Sequence, residues 1–127
     1  MAVCTDLFFV VKIQDAAKRA GLELKCYKTR ESAMDAARNG VRMVVLDLNC
    51  REVDCVDLAR SLKAHPATAA IPQVAFLSHV QADLARAAQQ AGCDRVMARS
   101  AFSNGVVQIM AALGAEPDNA SLPVGIA

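Results

Sequence analysis

Four short apolar runs in this chain end on residues able to do chemistry together. Thr5 and Asp6 follow residues 2–4, Asp47 follows VRMVVL, Ser78 and His79 follow IPQVAFL, and Arg99 and Ser100 follow RVMA. Held in one cleft, they supply two carboxylates, hydroxyls, an imidazole and a guanidinium. Like charges in a partly desolvated cleft raise each other's pKa unless a cation neutralises them. Mg²⁺ suits two carboxylates, because it completes its octahedron with water and phosphate oxygen. Arg99 is a second, permanent counter-charge. A carboxylate beside a divalent ion, a hydroxyl and a fixed cation is equipped to accept a phosphoryl group. The cations neutralise the transferring oxygens, and the hydroxyl holds one of them afterwards.

Those residues meet only if the runs are strands of one sheet with their carboxyl ends together. Ala2 to Thr5 reads as a short strand. Leu7 to Ala20 places Leu7, Val10, Val11, Ile13, Ala16, Ala17 and Ala20 at helical spacing, with Gly21 as its stop. Leu22 to Tyr27 alternates and reads as a half-buried strand near an edge. Thr29 can cap a helix from Arg30 to Asn39, ended by Gly40. Val41 to Leu46 is β-branched and almost continuously apolar, which fits a central strand covered on both faces.

Asp54 can cap a helix to about Ala64, which His65-Pro66 ends. Ile71 to Leu77 is a strand with Pro72 at its start, where a missing N–H is tolerable. Ala82 to Ala91 is a helix closed by Gly92. Arg95 to Ala98 is the fifth strand, and Ser103 can cap a final helix to Leu113, closed by Gly114. Helices separate every pair of strands, so pairing is parallel with right-handed crossovers. The fold class is α/β, a doubly wound five-stranded parallel sheet with helices on both faces; if its order is the flavodoxin-like 2-1-3-4-5, strands one, three and four are neighbours and these residues share one cleft. Residues 1–114 form the domain. Residues 115–127 lack a period and read as a flexible tail, in which Leu122, Val124 and Ile126 are apolar enough to dock on a groove.

Composition narrows the function. Among 127 residues, 14 Lys and Arg balance 13 Asp and Glu, which argues against a nucleic-acid surface. Hydrophobic residues make up 54%, enough for a core, yet no apolar run reaches the roughly 18 residues of a membrane span. The start of the chain has no basic segment and carries Asp6 inside its apolar stretch, unlike a secretory leader. The five cysteines lack CxxC spacing and read as small buried thiols of a reducing cytoplasm. Cys50, near Asp47, is the best placed for redox chemistry, although an inert thiol is the plainer reading. A small enzyme on this sheet lacks its motifs: there is no GxGxxG, GxxxxGK[ST] or GxSxG.

The stretch DLNCREVDC from Asp47, together with Asp6, Ser78, Arg99 and AGCDRV, resembles the receiver (CheY-like) domain of two-component response regulators over residues 1–114. The resemblance implies that Asp47 is the phospho-acceptor. It implies that Asp6, Asp47 and the Asn49 backbone carbonyl hold Mg²⁺, that Ser78 follows the phosphoryl group on activation, and that Arg99 stands for the family's lysine. The partners implied are proteins: a histidine kinase or a phosphotransfer protein. No output domain follows Leu113, so the signal is expected to leave through the face from Ala82 to Leu113, on whose alanines a second copy can also pack.

The sequence departs from the family pattern in several places. Thr5-Asp6 replaces an acidic pair, Arg99 a lysine, Ser100 a proline, Arg51 a proline, Cys55 a glycine, and Val96 the switch aromatic. His79 stands where a small residue leaves the site open, and can block a phosphodonor, bind the metal or contact the phosphoryl group. These changes are similar to those of pseudo-receivers, which act as interaction modules without phosphorylation. Two readings follow: a stand-alone phospho-receiver, or a phosphorylation-independent protein-binding module.

Overall fold

The computed structural model describes residues 1–78 and 81–114, apart from the side chains of residues 110, 113 and 114. Its strands are β1 (Ala2–Val3), β2 (Cys26–Tyr27), β3 (Val44–Asp47), β4 (Gln73–Leu77) and β5 (Arg95–Ala98). Its helices are α1 (Leu7–Arg19), α2 (Arg30–Arg38), α3 (Cys55–Ala64), α4 (Ala82–Ala91) and α5 (Arg99–Gly114). Every adjacent pair is parallel, in the expected order β2-β1-β3-β4-β5.

Alternation along the strands sorts the core into two layers. Val3, Val44, Leu46, Ala75 and Leu77 face α2, α3 and α4 through Met34, Leu58, Leu62 and Ala88. Ala2, Cys4, Val45, Val74 and Phe76 face α1 and α5 through Phe9, Ile13, Phe102 and Val106. The same period sends Asp47 to the α1–α5 side, because it is two residues beyond Val45.

Local signals explain most element ends. Asp6 Oδ1 accepts the Phe8 and Phe9 N–H groups at 3.1 and 3.2 Å and starts α1. At its other end, Leu22 N–H donates to Ala17 O at 2.8 Å and Gly21 N–H to Lys18 O at 3.0 Å, with Gly21 at φ +80°. That is a Schellman closure. It ties residues 21 and 22 to the helix, so the second strand is only Cys26–Tyr27 rather than Leu22 to Tyr27. The first strand is likewise shorter than expected, ending at Val3.

Two expectations need correcting. The buried face of α1 is Phe9, Ile13, Ala16 and Ala17, while Leu7, Phe8 and Val11 are 67%, 92% and 65% exposed. The last helix starts at Arg99, not after a Ser103 cap. An early start brings Phe102 into the first turn and buries it completely against Phe76, which a polar cap cannot match. The tail residues Leu122, Val124 and Ile126 lie outside the described residues, as does His79.

Gly92 closes α4 at φ +121°, where a Cβ would fall 2.2 Å from Lys63 Cγ. Lys63 can move aside, but the backbone conformation cannot be kept cheaply by an L side chain. Gly92→Ala is expected to lower the unfolding free energy by about 1–3 kcal/mol. Urea titration checks this; an unchanged midpoint would mean that the turn relaxes freely.

Candidate functional site

The carboxyl ends of β1 and β3 and the start of α5 enclose a cleft of about 300 Å³, lined by Thr5, Asp6, Asp47, Asn49, Cys50, Arg51, Glu52 and Arg99. Asp47 ends the central strand and is only 7% exposed. Its Oδ1 accepts the Asn49 N–H at 2.9 Å. The Cys4 thiol, on the same sheet face, donates to Oδ2 at 3.6 Å. Burial, with a smaller contribution from the Asp47 charge, pushes the Cys4 thiol up to about 12. That thiol is therefore a neutral donor to the carboxylate rather than a competing anion.

Asp6 has two tasks. Oδ1 caps α1, and Oδ2 pairs with Arg99 Nη2 at 3.0 Å. The Phe9 N–H, then the Arg99 charge, hold the Asp6 carboxyl below its usual range. Arg99 lies over Phe9, its guanidinium carbon 4.2 Å from the ring centroid, and 5.5 Å from that of Phe76. Arg99 is thus held by Asp6 and two aromatic faces.

Ser78 sits on the other side. Its hydroxyl donates to Asn49 Oδ1 at 2.9 Å, its N–H to the same oxygen at 2.6 Å, and Asn49 Nδ2 donates to Gln81 Oε1 at 2.8 Å. The Asn49 side chain therefore ties the ends of β3 and β4 together. Ser78 lines a second cleft of about 500 Å³ with Phe9, Lys12, Ala98, Arg99, Ser100, Ser103 and Asn104. Arg99 is common to both clefts.

Of the residues singled out in the sequence, Thr5, Asp6, Asp47, Asn49 and Arg99 share one cleft and Ser78 adjoins it. Two contributors were not anticipated. Glu52 lines the cleft and accepts the Thr5 hydroxyl at 3.0 Å, a bond that lowers its carboxyl pKa. Phe9 is the platform for Arg99. Neither was legible, because a loop carboxylate and one of two adjacent phenylalanines acquire their roles only from the partner the fold brings opposite.

The donors assigned to Mg²⁺ fit it on one condition. Asp6, Asp47 and Asn49 line one cleft, and Mg²⁺ takes few carboxylates while keeping water. No group of three His, Cys, Asp or Glu side chains is gathered as a metal cage among the described residues. The condition is that Arg99 gives up Asp6 Oδ2.

No family model matches the chain, and no curated protein matches it. Solved structures do. A receiver domain from Rhodospirillum rubrum superposes with a TM-score of 0.73 at 19% identity, covering 91% of this chain and 93% of that one. The fold is that of a response regulator receiver domain. The phosphorylated cyanobacterial phytochrome response regulator RcpA matches with a TM-score of 0.72 at 20% identity, over 87% of this chain and 86% of its own. The Mn²⁺-bound form of the response regulator Rcp1 matches with a TM-score of 0.70 at 17% identity, over 85% and 88%. No described helix is long and apolar enough to cross a membrane.

Proposed function

We propose that residues 1–114 act as a cytoplasmic receiver-type signalling domain with Asp47 as phospho-acceptor. The observation that carries this reading is the placement of a nearly buried carboxylate at the end of the central strand, in one cleft with Asp6 and Arg99. An Asp47 oxygen attacks the phosphorus of a phosphohistidine or acyl phosphate. The new O–P bond forms as the bond to the donor breaks, and the donor keeps the electron pair. A divalent ion held by Asp6, Asp47 and the Asn49 carbonyl would neutralise the transferring oxygens. Ser78 and Arg99 then offer a hydroxyl and a guanidinium to the phosphoryl group. RcpA is phosphorylated and Rcp1 holds Mn²⁺ on the same fold, which supports both halves of the reading.

The donor is a protein such as a histidine kinase or phosphotransfer domain. Beside the cleft it meets the exposed Leu7, Phe8 and Val11. The signal leaves through α4, β5 and α5, where a partner or a second copy packs.

A second reading, a phosphorylation-independent binding module, is favoured by one specific observation: Asp6 is already paired with Arg99, and Ser78 with Asn49. Exposure to acetyl phosphate and Mg²⁺, followed by intact mass measurement, separates the two. One added phosphoryl group is expected on the wild type and none on Asp47→Asn. The variant should melt close to the wild type, since an amide oxygen still accepts the Asn49 N–H and carries no charge to desolvate. An unmodified wild type would establish the second reading.

A further inference from the structure

We propose that Arg99 is an internal cation that latches Asp6 and has to leave it before the cleft takes a divalent ion. The inference rests on the reading of Asp6 as a cation ligand. Both Asp6 oxygens are already engaged: Oδ1 serves the Phe8 and Phe9 N–H groups, and Oδ2 serves Arg99 at 3.0 Å, so a cation at Oδ2 would face the guanidinium's like charge. The cap on α1 is local and persists, so an incoming ion competes with Arg99 for Oδ2.

Three features fit a latch rather than a permanent strut. The guanidinium lies between Asp6 and the Phe9 ring, a position that a planar, weakly hydrated cation tolerates better than a lysine ammonium. Arg99 Nε is buried with no hydrogen-bond partner, so the latched arrangement leaves one desolvated donor unserved. The residue also lines the second cleft, where Ser78, Ser100, Ser103 and Asn104 carry oxygens able to accept it. A released Arg99 therefore has somewhere to go, on the side where Ser78 stands.

The energetic consequence is conformational selection. If the ion binds only the unlatched form, its apparent affinity is reduced by the fraction of molecules that are unlatched. Residue 99 then sets metal affinity without touching the metal, and loss of the second acidic residue at Thr5 is compounded by a competing cation.

The test is a Mg²⁺ titration of the wild type, Arg99→Gln and Phe9→Leu, followed by backbone amide shifts at Asp6, Asp47 and Asn49 and by the ring protons of Phe9. Arg99→Gln is expected to bind about tenfold more tightly, given the scale of a partly exposed ion pair plus a cation–π contact. Phe9→Leu removes the aromatic platform while keeping an apolar side chain against Phe76 and Phe102, and should bind severalfold more tightly; it keeps the test open if Arg99→Gln does not fold. In the wild type, Mg²⁺ should shift the Phe9 ring protons as Arg99 leaves. Equal affinity in all three proteins would overturn the latch while leaving the cation site intact. No binding in any of them at tens of millimolar Mg²⁺ would overturn both the latch and the cation ligands of the receiver reading.

Discussion

Phe76→Ala is expected to cost about 3–5 kcal/mol, a large part of the 5–15 kcal/mol that holds a typical domain together. Phe76 is fully buried in β4, one strand from the edge and opposite Asp47 in the β3 register. Its ring centroid lies 5.1 Å from that of Phe102, nearly parallel at 16°, and 4.8 Å from that of Phe9. Truncation removes the middle of this stack. The void cannot close, because Phe9 is fixed by the α1 cap and Phe102 by the first turn of α5. Phe76→Leu retains most of the volume and should cost less than about 2 kcal/mol. Urea titration of the three proteins gives the ordering, and a loss below 1 kcal/mol for Phe76→Ala would show that the stack repacks. The substitution also removes one of the two rings under Arg99, so a folded Phe76→Ala protein should show altered Asp6 and Arg99 signals.

How far the sequence carries the argument is seen best around Asp47. Its place was readable because VRMVVL is too apolar and β-branched for anything but a covered strand, and a carboxylate after such a strand needs a partner. Parallel pairing was readable because a helix follows each strand and crossovers have one hand, while the order β2-β1-β3-β4-β5 came only with the receiver resemblance. The two core layers follow from the same alternation. What could not be read is which side chains meet across loops. Ile13, Ala16 and Ala17, which helical spacing marks, are buried, but Leu7 and Val11 fit the same spacing and are exposed; Phe9 is buried instead by Phe76 and Phe102 on other elements. The start of α5 was misplaced for a related reason. Ser103 is a good cap by type, but burying Phe102 is worth more than one side-chain hydrogen bond. Arg99 lies in the expected cleft with Asp6 and Asp47, but its pairing with Asp6 and its contact with the Phe9 ring were set by loops and helices that no spacing reveals.

The second large effect is an alkaline one. Cys4 and Cys93, with an ordinary value of 9.0, are pushed up to about 12 by burial, and Cys55 is pushed higher still. Folded, these thiols stay neutral; unfolded, they ionise from about pH 9. The unfolded state therefore sheds protons that the native state keeps. Stability is full below the unfolded value and is lost as pH rises toward the folded values. Each thiol removes about 1.4 kcal/mol per pH unit inside that window, so three together approach 4 kcal/mol per unit. Under reducing conditions, the urea midpoint should fall steeply between pH 9.5 and 10.5, by the same linkage argument. Cys93→Ala should remove about a third of the slope, at the cost of the thiol's contact with Gln73 Oε1 at 3.7 Å. Asp47→Asn should reduce it slightly, because the Asp47 charge is one of the smaller causes raising Cys4. A stability that stays flat through pH 10.5 would mean that the thiols reach water without global unfolding.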